Sequence, residues 1–128
     1  MISFDYREWP APKLRGKPKA AQVLEAEGKY VLSKLESGDR LILLDEGGKQ
    51  FDSRGLADWL EEQLSRSPGR LILLIGGAYG FSPLLYSRAE AKLSLGKLTF
   101  SHQLVRVMTL EQVYRAFTIL RDHPYHND

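Results

Sequence analysis

The apolar run from Leu71 to Ile75 constrains the fold most strongly, because a glycine-rich turn follows it directly. Five branched aliphatic residues with no polar residue among them are typical of a β-strand that is covered on both faces. Gly76, Gly77 and Gly80 end this strand in a turn, where a side chain would obstruct the bend. We therefore predict that the run is a central strand of a sheet.

A helix is predicted directly after this turn, which makes the junction a candidate ligand site. Pro83 suits the first helical position, and the hydroxyl of Ser82 can cap the helix. Backbone amides and a helix N-terminus then converge at the carboxyl end of the strand, where small ligands bind in open α/β sheets. The turn matches neither G-x-G-x-x-G nor G-x-x-x-x-G-K-[ST], which disfavours a dinucleotide or a nucleoside triphosphate as the ligand.

The remaining sequence patterns predict an alternation of strands and helices. Ile2, Phe4 and Tyr6 alternate with polar residues, which indicates a half-buried strand at or near a sheet edge. The other predicted elements are helices at residues 19–35, 82–91 and 101–121, a helix capped by Ser53, a strand at 40–45, an extended segment at 92–96 and an irregular tail from His123. This order is typical of an α/β fold with a mainly parallel sheet flanked by helices. A chain of 128 residues suits a single domain.

Composition argues against several classes of protein. Cysteine is absent, which excludes a disulfide framework, a thiol nucleophile and a thiolate metal site. His102, His123 and His126 have no cluster of carboxylates beside them, so we predict no metal site. No G-x-S-x-G sequence is present, which disfavours a hydrolase. Without a signal peptide or an apolar run of membrane-spanning length, we expect a cytoplasmic protein that makes no membrane contact.

Positive charge is concentrated towards the two ends of the sequence. Residues 1–20 and 67–128 each carry a net charge of +3, whereas residues 21–66 carry −4. A difference this small is more often ordinary surface than a nucleic-acid footprint. The basic loop at residues 13–19 is likewise interpreted as a solvated connection rather than a phosphate contact.

Polar residues crowd the junction between the extended segment at 92–96 and the final helix. Taken singly they have ordinary explanations, such as Ser101 as a helix cap. Taken together with other parts of the chain, they carry a resemblance to a known family, in order and with compatible spacing. The segments concerned are residues 43–45 with 48–49, 75–77 with 79–82, 92–95 with 98–106, 111–112 with 114–117, and 123–126. They resemble the RlmH family, the SPOUT-class methyltransferases of 23S ribosomal RNA.

The resemblance implies a reaction, a fold and partners. It implies S-adenosyl-L-methionine as the methyl donor and N3 of a pseudouridine as the acceptor, namely pseudouridine-1915 in helix 69 of 23S rRNA. It also implies a homodimer and a SPOUT-type fold with a C-terminal trefoil knot. The family carries another strand and helix ahead of the segment matched here, so the resemblance implies a chain that is short at its amino end.

The resemblance also implies which residues hold the donor. The implied cofactor-binding residues are Leu44, Gly76, Leu95, Gly96, Lys97, Leu98, Thr99 and Phe100. Glycines allow backbone groups to approach the donor closely, while leucine and phenylalanine side chains can bury an adenine ring. No charged residue is needed to hold it.

Four further residues are candidates for catalysis. His102, Tyr125 and His126 are expected to orient or deprotonate the acceptor base, and Arg106 to stabilise negative charge on a carbonyl beside N3. The resemblance implies that the tail of one subunit completes the site beside the donor of the other. Positioning can supply about 7 to 11 kcal/mol of the barrier, against about 3 to 5 for a general base. We therefore expect positioning to dominate.

Two departures from the family, the short amino end and the tail, leave alternatives open. The tail ends in His126-Asn127-Asp128, where members of the family often have a basic residue after the histidine, and this can weaken RNA binding. A catalytically silent RNA- or ribosome-binding module on the same fold is therefore the alternative function. The sequence leaves open which residue accepts the proton and whether 70S particles or free rRNA are the substrate.

Overall fold

Three parallel strands form the sheet in the computed structural model, which describes residues 4–10, 12–77 and 79–127. The strands are β1 (Arg40–Lys49), β2 (Leu71–Ile75) and β3 (Ala91–Leu93), in the order β2-β1-β3. The prediction that Leu71–Ile75 is the central strand is wrong, because β1 lies between the other two. Every residue of β2 is partly accessible, as expected for a strand at an edge.

Four helices flank the sheet: α1 (Ala20–Lys34), α2 (Ser53–Ser65), α3 (Pro83–Arg88) and α4 (His102–Leu120). The predicted fold class is confirmed, and these four helices lie where helices were predicted. The trefoil knot and the single-domain organisation stay predictions. No helix in the described part of the chain is long and apolar enough to cross a membrane.

Alternate residues of β1 face the two sides of the sheet, and each side is covered by two helices. On one side Ile42 packs with Leu60 of α2 and Ala116 of α4. On the other side Leu41 and Leu43 pack with residues of α1 and α3. Because both faces of this part of β1 are buried, the sequence from Leu41 to Leu44 is continuously apolar rather than alternating.

An ion pair between the buried Asp39 and Arg70 joins the amino ends of β1 and β2. Asp39 is only 3% exposed, and its Oδ2 accepts a hydrogen bond of 2.6 Å from Nη2 of Arg70. Arg70 Nε donates to the other oxygen at 3.1 Å. The Arg70 guanidinium lowers the pKa of Asp39 from 3.8 to about 2. The pair sets where the two strands begin.

Two predicted helix caps differ in the structure. Asp52, not Ser53, caps α2, because its Oδ1 accepts from the Gly55 amide at 2.8 Å. Ser82 occupies the N-cap position of α3, but its hydroxyl makes no capping hydrogen bond. The Ser82 side chain is instead turned into the protein, where its oxygen is buried without a described partner and close to Gly28 of α1.

The amino-terminal strand prediction is wrong for the part that the structure describes. Ile2 lies outside the described residues, and residues 4–10 have no regular secondary structure. Phe4 and Tyr6 are exposed rather than half-buried. An alternating sequence forms a strand only where a neighbouring strand hydrogen-bonds with it, and no described strand pairs with this segment.

Candidate functional site

The carboxyl ends of β2 and β3 flank the middle of β1, and there they bring together the chain segments implied to bind the donor. In the sheet register Leu44 lies opposite Ile75 of β2 and opposite Leu93 of β3. The next residues along the outer strands are therefore Gly76 on one side of Leu44 and Ser94 on the other. Adjacent strands are about 4.8 Å apart, so the two flanking segments emerge about 10 Å from each other.

The end of β1 curls over the segment that follows β3. Ser94 donates its amide to the Lys49 carbonyl at 2.8 Å, and Thr99 Oγ1 donates to Glu46 Oε1 at 3.4 Å. A Cβ on Gly48 would stand 2.6 Å from the Leu93 nitrogen, so the two backbones meet where only glycine fits. This contact fixes where the segment 95–100 begins.

The surface at this edge is partly apolar and accessible. Leu98 is 73% exposed, while Leu95 and Phe100 are half-buried. Gly96 has a φ of +143°, a conformation that side chains rarely adopt. Accessible apolar side chains beside glycine backbone suit a nucleoside-like ligand, so these residues fit the implied donor.

The pair formed by Asp45 and Tyr86 was not singled out from the sequence, and it adjoins Leu44. The Tyr86 hydroxyl donates to Asp45 Oδ2, and the Gly47 amide donates to Asp45 Oδ1 at 2.8 Å. The hydrogen bond to Asp45 raises the pKa of Tyr86 to about 12. The pair joins β1 to α3 at the irregularity in the strand that follows Leu44.

His102 and Arg106 lie on the first two turns of α4. His102 is the first helical residue and is exposed; Ser101 caps the helix as predicted, accepting from the Leu104 amide at 3.3 Å. Arg106 follows one turn later. Its Nη1 lies 3.3 Å from Oε1 of Glu8 in the amino-terminal segment, so its charge is partly neutralised there.

Tyr125 and His126 are held at a different place, by Glu111 and Arg115 of α4. The Tyr125 hydroxyl donates to Glu111 Oε1 at 3.0 Å, and Arg115 Nη2 donates to the same oxygen at 2.6 Å. Arg115 Nη1 lies 3.1 Å from His126 Nδ1, and the guanidinium carbon lies 4.9 Å from the centre of the Tyr125 ring. The hydrogen bond from Arg115 lowers the pKa of Glu111, whereas the bond to Glu111 raises the pKa of Tyr125.

The structure therefore does not bring the four candidate catalytic residues together within one chain. Nine residues separate His102 from Glu111, and nine separate Arg106 from Arg115. Nine residues are two and a half helical turns, about 14 Å along the axis and half a turn around it. The tail accordingly docks on the face of α4 that points away from His102 and Arg106.

The Glu111–Arg115 pair was missed as a functional element. Its signal in the sequence is the spacing of four residues within a helix, which places the two side chains side by side. The spacing alone predicts an ordinary surface ion pair. That the pair also holds the tail depends on the path of residues 121–127, which the spacing does not determine.

A groove of about 870 Å³ runs along the outer edge of β2. It is lined by the segment 4–10, by β2 and by α4 residues that include Arg106 and Thr109. The groove reaches Gly76 and Gly77, but Leu44 and the segment 95–100 are not among its lining residues. Within the described residues, no group of three or more histidine or acidic side chains could hold a metal ion.

Comparison with known proteins identifies close relatives over nearly the whole chain. The SPOUT_MTase family, described as "Predicted SPOUT methyltransferase", matches residues 1–126. Three similar proteins carry the name Ribosomal RNA large subunit methyltransferase H. They are those of Parabacteroides distasonis (48% identical over 127 residues, 99% of this chain and 81% of the relative), Flavobacterium johnsoniae (46% over 126 residues, 98% and 80%) and Phocaeicola vulgatus (45% over 127 residues, 99% and 81%).

Proposed function

Because the chain belongs to the RlmH family of SPOUT methyltransferases, we propose that it methylates 23S ribosomal RNA at N3 of pseudouridine-1915 in helix 69, with S-adenosyl-L-methionine as the donor. The observation that carries this proposal is the convergence of Leu44, Gly76 and the start of the segment 95–100 at one edge of the sheet. The printed name of the relatives supports large-subunit ribosomal RNA as the substrate. With that substrate, the protein acts in the cytoplasm.

The donor site is built from backbone and apolar groups. The methyl donor supplies an electrophilic methyl group on a positively charged sulfur. Backbone groups of Gly76 and Gly96 bind its polar parts, and Leu95, Leu98 and Phe100 cover its ring. The Asp45–Tyr86 pair keeps the part of β1 after Leu44 in place, so the pocket is formed before the donor binds.

The acceptor side is built from α4 and the tail. N3 of the base must lose a proton as it attacks, and His102, Tyr125 or His126 receives or directs that proton. Arg106 stabilises the negative charge that spreads to a neighbouring carbonyl of the base. For this, the substrate must replace Glu8 as the partner of Arg106. Because holding donor and acceptor in line supplies most of the rate gain, these residues act mainly by positioning.

The separation of the two half-sites supports a homodimer. His102 and Arg106 lie on one face of α4 and the docked tail on the opposite face, so one chain does not complete the site. An exposed apolar stripe runs beside the tail, formed by Leu104 (47% exposed), Val107 (63%) and Tyr114 (53%). Covering this stripe with a second copy would bury the apolar side chains. It would also bring each tail to the donor edge of its partner, which is the surface formed by Leu44, Gly76 and the segment 95–100.

Mass spectrometry of nucleosides from helix 69 tests the reaction. Ribosomes that lack the modification are incubated with the protein and S-adenosyl-L-methionine, in parallel with free 23S rRNA. We expect one added methyl group on pseudouridine-1915. Calorimetry with S-adenosylhomocysteine is the second readout, and we expect binding in the micromolar range, about −8 kcal/mol.

The outcomes separate the proposed enzyme from a silent binding module. A folded dimer that binds ribosomes but neither S-adenosylhomocysteine nor S-adenosyl-L-methionine would contradict the proposal and indicate the module. Methylation of a different nucleotide would contradict the assigned acceptor while leaving the reaction type intact.

A further inference from the structure

A cluster of unpaired cations lies ahead of α1. Residues 12–19 contain four cations and no carboxylate. Lys13, Arg15, Lys17 and Lys19 are all exposed. None of their side chains forms an ion pair or a hydrogen bond with any part of the chain that the structure describes.

Most cations elsewhere in the chain have a protein partner. Seven of them lie within ion-pair distance of a carboxylate: Arg7, Lys29, Arg66, Arg70, Arg88, Arg106 and Arg115. Two more, Lys34 and Lys92, lie over tyrosine rings. Cations without a described partner are therefore most concentrated in residues 12–19, where four occur within eight residues.

The direction of α1 places this cluster on the side of the donor edge. The end of α1 lies at the start of β2, since Arg70 donates to the Lys34 carbonyl at 3.1 Å. Further towards its amino end, the Glu27 carboxylate lies 3.3 Å from where a Cβ on Gly77 would stand, just past the end of β2. Eight more residues lead back to Lys19, which is about 12 Å further along the axis. The loop thus extends beyond the carboxyl ends of the strands.

We propose that residues 12–19 form an arm that binds the phosphate backbone of the RNA substrate beside the donor edge. This inference rests on the proposed function for the identity of the RNA. A cation without a protein partner can release the counterions condensed on a phosphate backbone at no cost in broken ion pairs. The arm contacts phosphates, so it contributes affinity and orientation but no base specificity.

This inference goes beyond the interpretation of the loop as a solvated connection. Sequence alone gives the charges but not whether carboxylates from other parts of the chain neutralise them. It also does not show which end of the sheet the loop occupies. Both facts depend on how α1 packs against the sheet.

The test removes the charge of the arm and measures how RNA binding depends on salt. The arm variant combines Lys13→Ser, Arg15→Ser and Lys17→Ser; Lys19 is kept because it precedes the first residue of α1. The control combines Lys29→Ser, Lys34→Ser and Arg66→Ser, which removes the same charge from positions that have a protein partner. Binding of an RNA fragment that contains helix 69 is measured by fluorescence anisotropy at salt concentrations between about 50 and 200 mM. Over this range, a few phosphate contacts change the affinity by roughly tenfold.

We expect the arm variant to bind the RNA about ten- to a hundredfold more weakly at 0.1 M salt, with a slope of log K against log[salt] smaller by about two. The control is expected to keep both quantities within about twofold. A third variant, with Lys13→Arg, Arg15→Lys and Lys17→Arg, keeps the charges and should bind as the unmodified chain does. S-adenosylhomocysteine affinity should be the same in all four proteins.

An arm variant with unchanged affinity and salt slope would overturn the inference, as would an equal loss in the control. These results are distinct from failure of the proposed function. If the chain bound no S-adenosylhomocysteine and transferred no methyl group, the salt slope would still report on the arm. If methylation were observed with an unaltered slope in the arm variant, only the arm would be refuted.

Discussion

Glu111 is the residue on which the position of the tail depends. One of its oxygens, Oε1, accepts from both Arg115 and the Tyr125 hydroxyl, and the lowered pKa of its carboxyl group keeps it ionised. Arg115 in turn contacts His126. Loss of the Glu111 charge would therefore weaken the contact that holds Tyr125 and the ion pair that places Arg115 beside His126.

The substitution Glu111→Gln tests this dependence, since it keeps the shape of the side chain and removes its charge. We expect methyl transfer to fall about tenfold to a hundredfold, because a small misplacement of a positioned group has effects of this size. Donor affinity, measured by calorimetry with S-adenosylhomocysteine, should not change.

Glu62→Gln is the matched control for this change. Glu62 also pairs with an arginine four residues further along a helix, at 2.6 Å, but it makes no hydrogen bond or ion pair with the described part of the tail, residues 121–127. Exposed pairs of this kind contribute little to stability, so activity should be unaffected. Equal losses of activity in the two variants would show that the effect of Glu111 is not positional.

Asp39 is the carboxylate whose ionisation matters most for folding. Its pKa is lowered to about 2 in the folded chain, below the ordinary value of about 3.9 for an unfolded chain. Stability from this group is therefore fully present above pH 5 and is lost as the pH falls from about 4 to 2.

We expect Asp39→Asn to lower the free energy of unfolding by about 2 kcal/mol at pH 7, with a smaller difference from the unmodified chain at pH 3. Urea unfolding of both proteins at a series of pH values measures this difference directly. A difference that stayed constant down to pH 2 would mean that the Arg70 pair contributes nothing through ionisation.

At the level of secondary structure, the end of β1 determines where the segment 95–100, which is proposed to bind the donor, lies. Gly48 meets the backbone at Leu93, and a Cβ there would lie 2.6 Å from backbone atoms of two residues. Backbone cannot rotate away as a side chain can, so any substitution at Gly48 must push the end of β1 away from β3.

We expect Gly48→Ala to weaken S-adenosylhomocysteine binding at least tenfold, because the displaced strand end carries the segment 95–100 with it. Gly38→Ala is the control, since a Cβ there would find its nearest neighbour at an ordinary 3.4 Å. Donor affinity that survives Gly48→Ala, with a crystal structure showing an unmoved segment, would contradict this role of the contact.

Local sequence patterns predicted most of the elements but not their places in the sheet. The helices α1 and α4 begin and end within about one residue of the predicted positions, because their periodicity and the Ser101 cap are local signals. The apolar run of β2 was predicted to be central, yet β1 has that place. Both runs are continuously apolar and both pack against the helices on the two faces of the sheet. Only the pairing of β1 with a strand on each of its edges distinguishes them.

The whole molecule requires two chains if the half-sites on opposite faces of α4 are to meet. A chain that ends at Asp122 lacks Tyr125 and His126 but retains the three strand ends. We expect it to bind S-adenosylhomocysteine with some affinity and to transfer no methyl group. Methylation equal to that of the full chain would refute the role of the tail.

Mixing two defective proteins tests whether the site is shared. The chain ending at Asp122 has a donor edge but no tail, and Gly48→Ala has a tail but a disturbed donor edge. Random pairing at equal amounts should restore about a quarter of the full activity, because half of the dimers then contain one intact site out of two. Each protein alone is the control, and a mixture as inactive as its parts would indicate that each chain uses its own tail.

The sequence by itself determined the alternation of strands and helices and the resemblance to the family, because periodicity, caps and short motifs depend on near neighbours. The tertiary structure decided which strand is central, which carboxylate caps α2, and that Glu111 and Arg115 hold the tail away from His102. These features depend on contacts between residues far apart in the chain, whose geometry no local pattern encodes. The same reason explains why the charges of residues 12–19 were visible in the sequence, whereas their lack of partners and their place beside the donor edge were not.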